Sequence, residues 1–398
     1  MTAETADDSR RVHVFGSLCL LVFLVNFGRI VFAPLLDPFM QTFGVEEATV
    51  GTVATLAWLG SAVPRLPTGY LLTYVDRHHV ALLTGLLLAV ASAFTATADS
   101  IITVGIGAFV MGSASGAYFV AGNPLVSELF PDRVGRVIGI HGTASQVAAV
   151  LAPLSVTVVL AVATWRTVFW AVSAVSLVGT LALYATARRA DLPSVQAHDR
   201  HLLASVKNQW PIVVTGVAII GATGFVWNGL FNFYVSYLTA TKDVSRGVAN
   251  ALLTGVFAAG VPAFWYTGRL ADRVRHVTLM LAILAGFVVA LLALTVVESL
   301  AGVIAVSIAM GYVIHRLFPA LDTYLLDTLP DHDRSSAYAA YSAAMMLIQA
   351  SASVVVGWLV QRGYAYDAVF RAFAVVLVLV LFVLYALRKA DRLPDAAR

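Results

Sequence analysis

The chain has one cysteine, Cys19, in 398 residues, which excludes an internal disulfide and any cysteine-built metal site. Charge is scarce as well. Asp, Glu, Lys and Arg supply 12% of the residues against 60% hydrophobic ones, and the mean hydropathy is +0.85. A soluble domain carries about twice that charge, so a soluble fold is excluded. No G-x-x-x-x-G-K-S/T, H-E-x-x-H or C-x-x-C occurs, which removes ATP-driven pumping and metal-dependent hydrolysis. Asp322 is the one acid deep in an apolar run, so an intramembrane enzyme would lack its second catalytic group. No cofactor and no metal are expected.

What the chain has instead is length without charge. Twelve stretches of at least 16 residues, from 12–28 through 372–387, contain no Asp, Glu, Lys or Arg. A helix crosses the hydrocarbon core in about 20 apolar residues, and a charge at either end can snorkel outward. The runs are continuous Leu, Val, Ala and Ile, without the alternation of a membrane barrel. The expected fold is therefore all-α and integral to the membrane, with twelve transmembrane helices. An even number puts both termini on one side. With the termini cytoplasmic, 17 Lys and Arg residues lie in inner segments and 5 in outer ones, the bias of a multi-pass protein of the cell membrane. The first run starts at residue 12, has no small-residue cleavage site after it, and reads as the first helix. The net charge of +3 is absorbed by this topology. The expected partners are lipid and a small solute, with no nucleic acid, and the chain is expected to be a monomer.

The sequence also repeats at half its length. "TGYLLTYVDR" (68–77) aligns with "TGRLADRVRH" (267–276) at an offset of 199 residues, and "ELFPDRVGR" (128–136) aligns with "DTLPDHDRS" (327–335) at the same offset. Two six-helix halves follow, 1–187 and 210–398. They are joined by the polar stretch 188–209, expected at the cytoplasmic surface.

"TGRLADRV" resembles the loop between helices 2 and 3, and 8 and 9, of the major facilitator superfamily, and "FPDRVGRVIG" resembles its helix 4–5 connection. In the first half Thr73 and Tyr74 stand where that pattern has Asp-Arg. The resemblance implies two pseudo-symmetric six-helix bundles around a cavity lined by helices 1, 4, 7 and 10, opening alternately to each side. "RLPTG" (65–69) is more weakly similar to the nitrate/nitrite porter and organic anion symporter branches, in which an arginine at the place of Arg65 contacts an anion. Two features depart from the porter pattern. Phe264 occupies the place of the partner arginine in helix 8, and "GIHGTASQVAA" replaces the glycine- and asparagine-rich helix 5 signature.

Three arginines, Arg29, Arg65 and Arg316, fall inside predicted helices. A guanidinium at the bilayer centre costs roughly 2.5–3.5 kcal/mol on insertion scales, so each should face the protein interior. Asn26 lies one turn before Arg29, and Asn228, the repeat counterpart of Arg29, shares a face with Asn232. Arg29, Arg65, Arg316, Asn26, Asn228 and Asn232 are the candidate substrate-binding residues. The plain alternative is that they tie helices together or, for Arg65, pair with a helix-end carboxylate such as Asp37 or with freed carbonyls near Pro64 and Pro67. Asp322 and His315, seven apart and on one face, are the candidate proton-coupling pair; a permanent Arg316–Asp322 bridge is the alternative. Arg77, Gly268, Asp272, Arg273, Glu128, Arg136, Asp327 and Arg334 cluster at the cytoplasmic helix ends and are the candidate gating latch. His141 is assigned neither role. Gly112 and Gly116 share a stripe of helix 4 with Phe119 and Asn123 that suits close packing at least as well as binding.

The expected function is secondary active transport of a small anion, nitrate-like or a carboxylate, with a proton as candidate co-substrate. The alternatives are a neutral sugar-like or hydrophobic drug-like solute, or a non-transporting membrane sensor.

Overall fold

The computed structural model describes residues 3–45, 47–194 and 202–394. The middle of the polar linker, 195–201, lies outside the described residues, as does the side chain of Asp37. Among the described residues there is no strand.

Besides short helices, among them Leu36–Phe43 and Leu202–Asn208, the described residues hold twelve longer helical segments. They are α1 (Ala3–Ile30), α2 (Glu47–Ala62, then Arg65–Leu71), α3 (Arg77–Ala96), α4 (Ile101–Leu129), α5 (Val134–Leu160) and α6 (Trp165–Ala187), followed by α7 (Trp210–Gly216, a π turn at Val217–Gly221, then Ala222–Thr241), α8 (Arg246–Ala258, then Gly260–Ala271), α9 (His276–Val296), α10 (Leu300–His315, then Leu317–Thr328), α11 (Asp331–Ala350, then Ala352–Gln361) and α12 (Tyr366–Lys389). Ten of these are long and apolar enough on their own to cross a membrane. α2 and α11 are each divided, as are α7, α8 and α10. Pro64 and Pro67 have no N–H to give the α2 ladder, and α11 steps at Ser351.

The repeat persists in the structure. α3 and α9 begin 199 residues apart, as do α4 and α10. Each of α4 and α10 is N-capped by a serine at the same offset: Ser100 accepts from the Thr103 N–H, and Ser299 from the Gly302 N–H.

Two compact units divide the chain. One is Met1–Asp132, Ile140–Ser205 and Asp331–Ala340; the other is Arg133–Gly139, Val206–Pro330 and Tyr341–Arg398. In the first, α4 packs on α1, α2 and α3, while α6 covers α1 and α3. Phe39, Trp165 and Phe169 form an aromatic cluster there, with ring centroids 5.1–6.4 Å apart. Ala339 from the start of α11 joins Leu72, Val80, Val120 and Ala121 in a buried cluster. In the second unit, α10 packs on α8 and α9, and α7 and α9 both pack on α12.

Glycine sets how closely these helices approach. A Cβ at Gly112 would strike the backbone of Ala57 and Ser61 on α2; one at Gly311 would strike the backbone of Val256 on α8, with its Cα at 2.8 Å. Gly112 and Gly311 are repeat partners, as are Ala57 and Val256. Both units therefore use one small-residue contact to bring two backbones together, the usual device where lipid removes any hydrophobic drive between helices.

Candidate functional site

Ser61 is the centre of a polar site in the first unit. It is fully buried and sits just before the α2 break, where the helix gives up its regular ladder. Its carbonyl accepts from Arg65 Nε at 3.0 Å, and its hydroxyl accepts from Arg29 Nη1 at 3.3 Å. Arg29 Nη2 also donates to Asn26 Oδ1 at 2.6 Å, and Asn26 Nδ2 donates to the Ser145 carbonyl on α5 at 2.7 Å. Trp58 lies over the Arg29 guanidinium at 4.4 Å. Phe119 of α4 is flanked by both arginines, at 5.9 Å and 6.0 Å. Arg65 is buried and Trp58 is 43% exposed.

The site thus combines two guanidiniums with neutral oxygens and aromatic faces. No ion pair involves Arg29 among the described residues, and its Nε is buried without a hydrogen-bond partner. A cation so placed is stabilised by ring quadrupoles and amide dipoles, which leave its charge uncancelled. The sequence placed Arg29, Arg65 and Asn26 here. It missed Ser61 and Trp58, whose only signal was their position one and two turns before Arg65.

The second unit is arranged differently. Asn228 Nδ2 donates to Gln349 Oε1 on α11 at 3.1 Å and to the Gly224 carbonyl at 3.3 Å, so it ties α7 to α11. Asn232, on the same helix, is exposed. His315 is buried and its Nδ1–H donates to the Gly311 carbonyl at 2.7 Å. Trp227, Phe257 and Phe264 surround the imidazole at 5.4–6.4 Å. Arg316 occupies the step between the two parts of α10. Its Nε donates to Thr267 Oγ1 on α8 at 3.0 Å, and its guanidinium lies over Tyr312 and Tyr266. Asp322 is half-buried.

The gating candidates separate into three groups. Arg77 Nη2 meets Glu128 at 3.1 Å, and Arg334 Nη1 meets the same carboxylate oxygen at 3.7 Å while also pairing with Asp331. Asp272 accepts the backbone N–H groups of Gly135 and Arg136 at 2.7 Å and 2.8 Å, so a carboxylate sits on the N-terminus of α5, where the helix dipole favours it. Gly268 makes room for this contact, since a Cβ there would lie 2.6 Å from Gly139 Cα. Asp327 pairs with His276 at 3.0 Å.

Two of the eight candidates contribute no side chain to these contacts. Arg136 takes part only through its main-chain N–H, and its side chain is exposed. Arg273 is exposed and enters none of these pairs. Both stand on the outer side of a helix turn, with the neighbouring residue facing inward. His276 was missed because its pattern position holds Arg in the first half.

His141, which the sequence left unassigned, is buried on α5. Tyr118 donates its hydroxyl proton to the Leu18 carbonyl at 2.7 Å, so His141 Nε2, at 3.0 Å, donates to the Tyr118 oxygen. The three groups join α1, α4 and α5.

The profile of the Major Facilitator Superfamily matches residues 18–314 and again 218–397. The chain belongs to the major facilitator superfamily. It is a twelve-helix, multi-pass secondary transporter and not an enzyme. It is 24% identical over 396 residues, covering 90% of both chains, to the "Probable sulfoacetate transporter SauU" of Cupriavidus necator. Among solved structures it is similar to the proton:xylose symporter XylE, with a TM-score of 0.79 and 13% identity, covering 96% of each chain. It is also similar to the human organic anion transporter MFSD10, with a TM-score of 0.73 and 15% identity, covering 94% of this chain and 99% of that one. The transporter FucP in its outward conformation gives a TM-score of 0.72 at 16% identity, over 95% and 99%. At such identities the structural likeness carries the superfamily's fold.

Proposed function

We propose that this superfamily member moves a small anion, a carboxylate or sulfonate, across the cell membrane by alternating access, with both termini cytoplasmic as the positive-inside bias indicates. The observation that carries the reading is the Arg29 guanidinium, half-buried against Ser61, Asn26 and Trp58 with no carboxylate paired to it among the described residues. A cation kept in a low-dielectric site without a counter-ion is filled most favourably by an anionic ligand. Arg65, anchored through Nε to the Ser61 carbonyl, places a second guanidinium beside Phe119, and planar guanidiniums match carboxylate and sulfonate oxygens. The names of two similar proteins, a sulfoacetate transporter and an organic anion transporter, point the same way.

Within the second unit, Arg316, Asn228 and Asn232 are the candidate binding residues. Asp322 and His315 are the proton-coupling groups, and the Arg77–Glu128–Arg334 and Asp272–α5 contacts are the cytoplasmic latch. One proton carried with each anion offsets the membrane potential opposing anion entry, about 2.3 kcal/mol per charge at 100 mV. A second reading, a neutral sugar carried with a proton, is supported by the fold shared with the xylose and fucose symporters. Uptake by proteoliposomes separates the two. Sulfoacetate and short dicarboxylates should accumulate, and Arg29→Gln and Arg65→Gln should abolish that accumulation. Accumulation of xylose or fucose, unaffected by either substitution, refutes the anion reading.

A further inference from the structure

Asp76 is the N-cap of α3, and His78 and His79 are the second and third residues of its first turn. The extended backbone at Asp76 folds an N-cap side chain over those two residues. Its carboxylate makes no capping hydrogen bond there. Instead His79 reaches back to it, with Nδ1 3.7 Å from Oδ2, as the third residue of a capping box does. The His78 and His79 ring centroids are 4.0 Å apart. One ligand atom from each of the three residues lies within 4.8 Å of the other two.

We infer that Asp76, His78 and His79 form a site for one divalent transition-metal ion of the zinc class, at the turn between α2 and α3. Imidazole nitrogen and carboxylate oxygen are ligands that zinc holds at about 2.0–2.2 Å, and the edge of a tetrahedron with such bonds is about 3.3–3.4 Å. The 3.7 Å between His79 and Asp76 is close to that edge, and a swing of the two imidazoles brings the other pairs to it. Three protein ligands leave the fourth position to water.

The neighbouring charges suit a cation. Arg77, between the ligands in sequence, is buried and its guanidinium is directed to Glu128 at 3.1 Å. The dipole of α3 disfavours a cation at this end of the helix, and the Asp76 charge offsets it. His78 Nδ1 is buried without a hydrogen-bond partner, so no protein group holds the ring through that nitrogen. Asp76 need not be free, since a carboxylate can ligate through one oxygen and keep other contacts through the second. The set contains no cysteine, so the argument from Cys19 does not bear on it. The repeat supplies a comparison within the chain. At the offset of 199 the three positions are Arg275, Val277 and Thr278, and α9 starts there with no such ligand set. The fold itself therefore does not call for these side chains.

The inference is independent of which solute is carried, so the test uses the metal alone. Isothermal titration of the purified, tag-free protein with Zn2+ should show one ion bound per chain, undisturbed by a large excess of Mg2+, which prefers oxygen ligands throughout. His79→Ala removes an exposed side chain and should weaken binding at least about 10- to 100-fold, the cost of losing even a hydrogen-bond partner of a ligand. His78→Ala and Asp76→Asn should do the same. His332→Ala, an exposed histidine elsewhere in the chain, should leave the affinity unchanged. Zn2+ should also raise the melting midpoint of the native protein and leave that of His79→Ala where it is. Absence of saturable Zn2+ binding, or an affinity that survives both histidine substitutions, overturns the inference. If His78→Ala or Asp76→Asn does not fold, His79→Ala alone decides.

Discussion

Replacing Arg29 by glutamine separates binding from support, because the two roles predict opposite stabilities. In the folded protein Arg29 makes a 2.6 Å bond to Asn26, a 3.3 Å bond to Ser61 and a ring contact at 4.4 Å with Trp58. None of these partners carries a charge. Losing the bonds leaves Asn26 Oδ1 short of a donor, which costs about 1–3 kcal/mol. Against this stands the desolvation of an uncompensated guanidinium, several kcal/mol in a real protein interior, which the substitution removes. The two terms are of similar size, so the ligand-free protein should melt at or above the native midpoint. A guanidinium that serves as a structural strut, balanced by a buried acid, would instead cost about 3–5 kcal/mol when removed, lowering the midpoint of a unit of this size by roughly 6 °C or more. Anion affinity should fall about 10- to 150-fold, the equivalent of one charge-assisted contact. Scanning fluorimetry with and without sulfoacetate gives both numbers. A large drop in the ligand-free midpoint with unchanged anion affinity refutes the reasoning.

Three further outcomes follow from other contacts. Asp272→Asn weakens a carboxylate held on a helix N-terminus by up to about 2 kcal/mol, so transport should slow while the equilibrium Kd for the solute stays within about twofold; a lost Kd with normal state exchange would contradict it. Gly112→Val drives a side chain into the Ala57 backbone and should abolish folded expression, whereas Gly16→Ala, with no neighbour within 4 Å, should leave the melting midpoint equal or higher; size-exclusion profiles compare the two. Tyr118→Phe strips the Leu18 carbonyl and the His141 N–H of their shared hydroxyl and should cost about 1–3 kcal/mol, read as a lower melting midpoint.

The fold was legible because its signals are additive along the chain. Charge-free length gave the spans, and the offset of 199 gave the repeat; both reappear as helix starts and serine caps in matching places. What the linear pattern hid was partner choice. Glu128 was grouped with seven other residues without a chosen partner, and it meets Arg77 and Arg334, since a residue's face follows from the helix rotation at its end and the loop that leads into it. Asn228 was paired by repeat with Arg29, but the bond to Gln349 turns it to α11. Ser61 carries no charge and no motif, and it became visible only when the α2 break left its carbonyl to a guanidinium. The two halves share a backbone plan, while their polar residues diverged position by position, as at Thr73 and Asp272 or Arg77 and His276.

The central claim, that the Arg29–Arg65 site holds an anion, is tested most directly by isothermal titration of the purified protein with a matched panel: sulfoacetate, a dicarboxylate, xylose and a lipophilic cation. The account predicts heat of binding from the anions alone, weakened by high salt and lost in Arg65→Gln. Binding of xylose or the cation, with no heat from either anion, would contradict it.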